Sequence, residues 1–193
     1  MTAPRFFDAF AAMPRPGPGR ILLPSVGQDG ARLRETLTDT ASSELSPETI
    51  RTEVEGNLSM LSPEAFRYFL PAFLHAALEA YDTLSVFASE LIGALTEPSR
   101  TDVVESLDRL AQIPRGASFP QATLDLLRLQ QLAWYDEGIP QALFRDRVEP
   151  MTDAEGAAIL AFFLAMKDAH GDDFPFDELA VAIDRRWGRY AVP

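Results

Sequence analysis

The chain has 193 residues, 47% of them apolar, which is enough for one domain with a real core and too apolar for wholesale disorder. Its formal charge of −12, from 29 acidic and 17 basic residues, repels nucleic acid and anionic membranes and argues against both as partners. There is no cysteine, which excludes disulfides, thiolate nucleophiles and the usual structural zinc sites.

The N-terminal segment predicts a short amphipathic helix opened by Thr2 and Pro4, with Phe6, Phe7, Phe10 and Met13 near one side. Asp8 and Pro14 interrupt it before a signal-peptide core can form. Pro14 to Gly19 reads as a non-helical connector, so residues 1–20 are at most an N-terminal arm. Ile21-Leu22-Leu23 is the only strand-like piece, and three residues do not make a sheet. A weak helix over 28–40 carries Ala31, Leu33 and Leu37. Ser43 to Pro47 reads as a loop, and Ser46-Pro47-Glu48 is a helix start that aligns Ile50, Val54 and Leu58.

The most informative stretch is Leu61 to Leu78. Ser62 suits a helix cap, Pro63 its first turn, and Glu64 the positive end of the helix dipole. Behind them Phe66, Phe69, Leu70, Phe73, Leu74 and Ala77 share one face. Pro71 lacks the amide that would bond the Arg67 carbonyl, so a kink is expected within this helix, 61–81. Leu84, Phe87, Ala88, Leu91 and Leu95 form the next stripe, ending before Pro98; Val103, Val104, Leu107, Leu110 and Ala111 form another up to Pro114. Leu124, Leu127, Leu132 and Trp134 mark a helix over 120–136 closed by Gly138 and Pro140, with a short helical turn over 141–147.

Thr152-Asp-Ala-Glu155 is a capping box. The helix it opens, 153–169, is apolar around most of its circumference and is expected at the centre of the fold, ending in a left-handed cap at Gly171. Its longest uncharged stretch, Gly156 to Met166, is too short to span a bilayer. The last helix, from about Asp177, points Leu179, Ala180, Ile183 and Trp187 inward. Together these elements predict an all-α, single-domain (1–193), irregular bundle of about seven to nine helices.

Candidate chemistry is sparse. Opposite the Phe/Leu face of 61–81 lie Glu64, Tyr68, His75 and Glu79, with Arg67 on the flank. They form a polar stripe suited to a ligand or partner, or a second packed side. His75 and Glu79, one turn apart, supply only two ligands, too few for a metal. Asp168, His170, Asp172 and Asp173 are the densest ligand cluster, yet their spacing does not fit a calcium loop. Arg185, Arg186 and Arg189 sit at a helix C-terminus, where the dipole accounts for them. No phosphate loop or nucleophile elbow is present, and only two histidines are available as bases. No cofactor or metal is expected.

The segment Leu61 to Leu74, with Met151 to Glu155 and Ala158 to Leu164, resembles an uncharacterised bacterial family of small helical proteins, a domain of unknown function with an LSPEAFRYFLPAFL-type core. Phe69 and Phe73 stand where tyrosine is frequent in that pattern. The resemblance implies a helical fold and a bacterial source, in keeping with Lys167 as the sole lysine, and brings no activity or functional residues.

The leading expectation is a non-enzymatic cytoplasmic protein that binds another protein, most concretely an immunity or antitoxin-type protein whose acidic surface covers a basic toxin. One alternative is a small enzyme or ligand-binding domain using the Tyr68/His75 stripe. Another is a structural subunit that self-associates through Phe6/Phe7/Phe10 or Trp134/Tyr135.

Overall fold

Helices begin where the capping residues stand. In the computed structural model, which describes residues 6–112 and 120–191, every extended element is helical and the fold is all-α. The expected start at Thr2 and Pro4 and the stop at Pro114 lie outside those residues. The chain divides into two compact units, the first made of Met1–Thr96 with Arg147–Pro193 and the second of Glu97–Asp146. No linker signal marks either boundary in the sequence, and the second falls within a helix.

The first unit opens with α1 (Phe6–Ala9) and, after a turn over Pro18–Arg20, reaches α2 (Ala31–Asp39), which buries Leu33 and Leu37. That helical turn overlaps the end of the segment expected to be non-helical, because proline is tolerated in the first turn of a helix. Of the strand-like piece, Ile21 lies in the right-handed helical region at φ −74°, ψ −45°, and only Leu22 pairs, in one isolated antiparallel bridge with Leu61 rather than a sheet. Leu23 donates its amide to the Met60 carbonyl at 2.9 Å, and Ser62 donates to the Ile21 carbonyl at 3.0 Å. Ser46 caps α3 (Pro47–Thr49), its hydroxyl accepting from the Thr49 amide at 3.1 Å. The chain then widens into a π-turn over Ile50–Val54, where the Glu55 amide reaches back five residues to the Ile50 carbonyl at 2.9 Å.

The core is built on α4 (Pro63–Glu79) and α5 (Tyr81–Ala94), which pack against each other. Ser62 caps α4, accepting from the Ala65 amide at 3.1 Å. Phe66, Phe69, Leu70, Phe73, Leu74 and Ala77 are all fully buried, as are Leu84, Phe87, Ala88 and Leu91 of α5. Pro71 is also buried, and α4 continues across it. A break that local spacing does not announce lies at Leu84 of α5, whose backbone leaves the helical region at φ −122°, ψ 21°. The break frees the Phe87 amide, which donates instead to the Glu55 carboxylate at 3.1 Å. Glu90 answers in the other direction, accepting from the Gly56 amide at 2.8 Å and the Leu58 amide at 3.1 Å. Two carboxylates thus tie α5 to the π-turn.

The Thr152–Glu155 capping box opens α9 (Asp153–His170), which packs on α1, α4 and α10 (Glu178–Arg185). Ile159, Phe162, Phe163 and Met166 are fully buried, placing α9 in the interior as its composition predicts. Phe6 and Phe10 are buried too, so the aromatic patch expected to serve self-association is core, with only Phe7 exposed. Gly171 does not form a left-handed cap. It lies in the right-handed helical region at φ −56°, ψ −34° and starts a tighter turn over Gly171–Asp173, while the left-handed residue is Asp177 at φ 57°. Trp187 is fully buried and donates its indole N–H to the Leu95 carbonyl at 2.7 Å. Its neighbour Tyr190 covers Gly156 of α9, where an added Cβ would fall 2.3 Å from the ring.

The second unit pairs α6 (Arg100–Ala111) with α7 (Gln121–Asp136). Ion pairs join them, Arg100 to Asp136 at 3.0 Å and Arg128 to Asp108 at 2.8 Å. The apolar stripe of α6 is only half-buried. Gly138 ends α7 where a helix end is expected, with φ 76° and its amide donated to the Tyr135 carbonyl at 2.8 Å. The next helix, α8, spans Ile139–Val148. Among the described residues no helix is long and apolar enough to cross a membrane.

Candidate functional site

The five polar residues singled out on α4 do not converge on one site. Glu64 is exposed and pairs with Arg20 at 3.1 Å. Arg67 turns inward and grips Glu155 of α9 through two bonds, Nε to Oε1 at 2.8 Å and Nη2 to Oε2 at 2.6 Å. Tyr68 is half-buried, its ring edge-on to Phe69 at 4.9 Å and its hydroxyl accepting from the Ser42 amide at 3.4 Å. His75 is exposed with its ring 6.2 Å from that of Phe7, and Glu79 is exposed at the end of the helix. The structure therefore uses Arg67 as a clamp between α4 and α9.

That clamp is electrostatically satisfied. Burial alone pushes the Glu155 carboxyl up, but bonds from Arg67, the Thr152 amide and the Thr152 hydroxyl outweigh it and hold the group below the usual carboxylate range. A second buried cation, Arg147, donates to the Leu58 carbonyl at 3.0 Å and the Leu61 carbonyl at 3.2 Å and lies 4.4 Å over the Phe66 ring. Burial pulls its guanidinium down to about 10, with the Glu90 carboxylate opposing that shift. Both arginines are engaged as internal ties.

A polar concavity lies elsewhere in the first unit. Tyr81, Asp82, Ser85, Val86 and Ser89 of α5 and Asp173 of the turn after α9 line one open groove. The i, i+1, i+4, i+5, i+8 spacing puts the α5 residues on a single outward side of the helix. His170 stacks on Tyr81 with ring centroids 3.7 Å apart and planes 17° off parallel, and Phe174 meets the same ring edge-on at 6.3 Å. The Tyr81 ring is thereby fixed as the groove's wall. Its phenol is pushed up from the ordinary tyrosine value, first by burial and then by the Asp173 carboxylate, which also hydrogen-bonds it.

Asp82 and Asp173 bring two negative charges to this groove, and no cation stands among its described lining residues. His170 is 24% exposed, with Nδ1 3.9 Å from the Asp173 carboxylate. Such a lining suits a cationic side chain, whose charge the carboxylates attract and whose donors the serine and tyrosine hydroxyls accept. The sequence pointed to half of it: Asp173 and His170 belong to the acidic cluster read as a weak metal candidate. The α5 half was missed because Tyr81, Asp82, Ser85 and Ser89 are separated from it by 81 or more positions and carry no motif. No group of three His, Asp or Glu side chains among the described residues is arranged to hold a metal ion.

No family model matches this sequence, and neither a curated protein nor a solved structure matches it.

Proposed function

We propose that this protein acts in the cytoplasm as a non-enzymatic binding protein for a basic protein partner, in the manner of an immunity or antitoxin-type protein. The observation that carries the reading is the Tyr81 groove, with Asp82 and Asp173 at its edge and no cation among its described lining residues. The disposition of the arginines supports it. Arg20, Arg32, Arg51, Arg67, Arg100, Arg128 and Arg145 each pair with a carboxylate of the chain itself, and Arg147 is buried on carbonyls. The chain's net charge of −12 favours a basic partner. Complementary charge of this kind raises association rates and weakens with salt.

A fluorescein-labelled hexa-arginine peptide tests the site. Binding is expected to weaken as salt rises from roughly 0.05 to 0.5 M, because the Debye length contracts. Asp82→Asn/Asp173→Asn is expected to weaken it further than Asp29→Asn/Glu35→Gln, which removes the same charge from exposed positions of the first unit. Equal losses in the two double variants would assign the binding to bulk charge and remove the groove from the proposal. Recovery of a basic protein from native lysate in a salt-sensitive complex, or a toxin encoded beside this gene, would identify the partner.

A further inference from the structure

The outward side of α7 carries Ala122, Leu126, Leu129 and Ala133, all four exposed, with Leu126 and Leu129 at 56% and 70%. Their spacing of four, three and four residues is that of a coiled-coil seam, while Leu124 on the opposite side is buried. Isolated exposed leucines need no explanation, but a straight apolar row over three turns of one helix does.

Two features single out a second copy of this chain as the occupant. The row reads small, large, large, small in both directions, so a copy related by a two-fold axis midway between Leu126 and Leu129 is self-complementary. An antiparallel pairing sets Leu126 against Leu129 of the second copy and Ala122 against Ala133 of the second copy, the isologous arrangement of a two-fold dimer. Second, each charge on α7 is engaged within its own unit. Arg128 pairs with Asp108, Asp136 with Arg100, and Asp125 accepts from the Gln121 amide group at 2.9 Å. The row itself is uncharged, so it offers two chains of charge −12 a face on which to meet.

We propose that α7 pairs antiparallel with α7 of a second copy to form a two-fold dimer. A helix of 16 residues is about 24 Å long. A pair of that length buries less than the roughly 1,200 Å² of a standard stable interface. The dimer is accordingly weak, with dissociation in the micromolar range. Asp125 flanks the seam at about 7 Å of axial offset from its own copy, by the helical rise per residue, so the two carboxylates repel. Salt therefore strengthens this association, the opposite of its effect on a basic partner.

Sedimentation equilibrium of the full chain from about 1 to about 500 µM reads the stoichiometry directly. The expected result is a monomer–dimer equilibrium that tightens severalfold between roughly 0.05 and 0.5 M salt. Leu129→Glu, at a site already exposed, is expected to weaken association at least tenfold while leaving the circular dichroism unchanged. The absence of cysteine allows the orientation to be read. Ala122→Cys and Ala133→Cys proteins mixed together are expected to form a mixed disulfide on oxidation, and Ala122→Cys alone to form none, because two copies of position 122 lie about 16 Å apart along the axis. A monomer throughout, a dimer that weakens with salt, or a dimer that survives Leu129→Glu overturns the proposal. So does a disulfide formed by Ala122→Cys alone. None of these outcomes bears on the hexa-arginine measurement, whose residues lie in the other unit.

Discussion

Replacing Arg67 by alanine leaves Glu155, whose side chain is 2% exposed, as a buried carboxylate stripped of its cation. Two charge-assisted bonds of 2.8 and 2.6 Å disappear. Stranding one member of a buried pair typically costs about 3–5 kcal/mol. Thr152 still donates to Glu155 from both its amide and its hydroxyl, which sets the expectation near the lower figure, about 3 kcal/mol at neutral pH. The sign of the pH dependence identifies the cause. In the parent protein the folded-state pKa of Glu155 lies below its unfolded value, so its contribution is complete above the unfolded value and fades as pH falls through the folded one. In Arg67→Ala burial is no longer opposed by the guanidinium, and the carboxyl is expected to rise above its unfolded value near 4.3. The deficit relative to the parent is then largest near pH 7 and shrinks as both proteins are acidified. Urea unfolding of a Trp134→Phe background, followed by Trp187 fluorescence, confines the readout to the unit that holds the pair. A loss below about 1 kcal/mol, or one that does not change between pH 7 and pH 4, would refute an electrostatic clamp.

Other expectations follow from the same contacts. Phe69→Ala removes a fully buried ring next to Phe73 and Tyr68 and should cost about 3–5 kcal/mol by urea unfolding. Gly156→Ala should destabilise the fold by about 1–3 kcal/mol despite better helix propensity, because the new methyl displaces the Tyr190 ring; Tyr190→Ala in the same background should recover most of the loss. Glu90 has its folded-state pKa raised, first by burial and against the pull of the Gly56 and Leu58 amides, so its stabilising contribution is present below the unfolded value and is lost as pH rises through the folded one. Unfolding free energies of Glu90→Gln should therefore lack a decline that the parent shows just above pH 4.3 or so. Spectrophotometric titration of the four tyrosines should show one phenol ionising above the ordinary value, and Asp173→Asn should lower it.

Local chemistry settled most of the helices. Serine or threonine caps at Ser46, Ser62 and Thr152 are read within four residues of sequence, and the apolar face of α4 follows from a 3.6-residue repeat that needs no knowledge of the partner. The same repeat identified the half-buried stripe of α6 without indicating how deeply it is covered, since periodicity gives the direction of a face and not what lies on it. Wherever an outcome depended on a distant neighbour, the tertiary structure decided it. Arg67 faces Glu155 rather than solvent across 88 positions of sequence, and the burial of Phe6 and Phe10 depends on α4 and α9 folding over α1. The break at Leu84 is tolerated because Glu55, 32 positions before Phe87, supplies the acceptor that the helix gives up. Capping and amphipathicity are written in bonds a few residues long, whereas ion pairs, grooves and burial are sums over elements that meet only after the chain has folded.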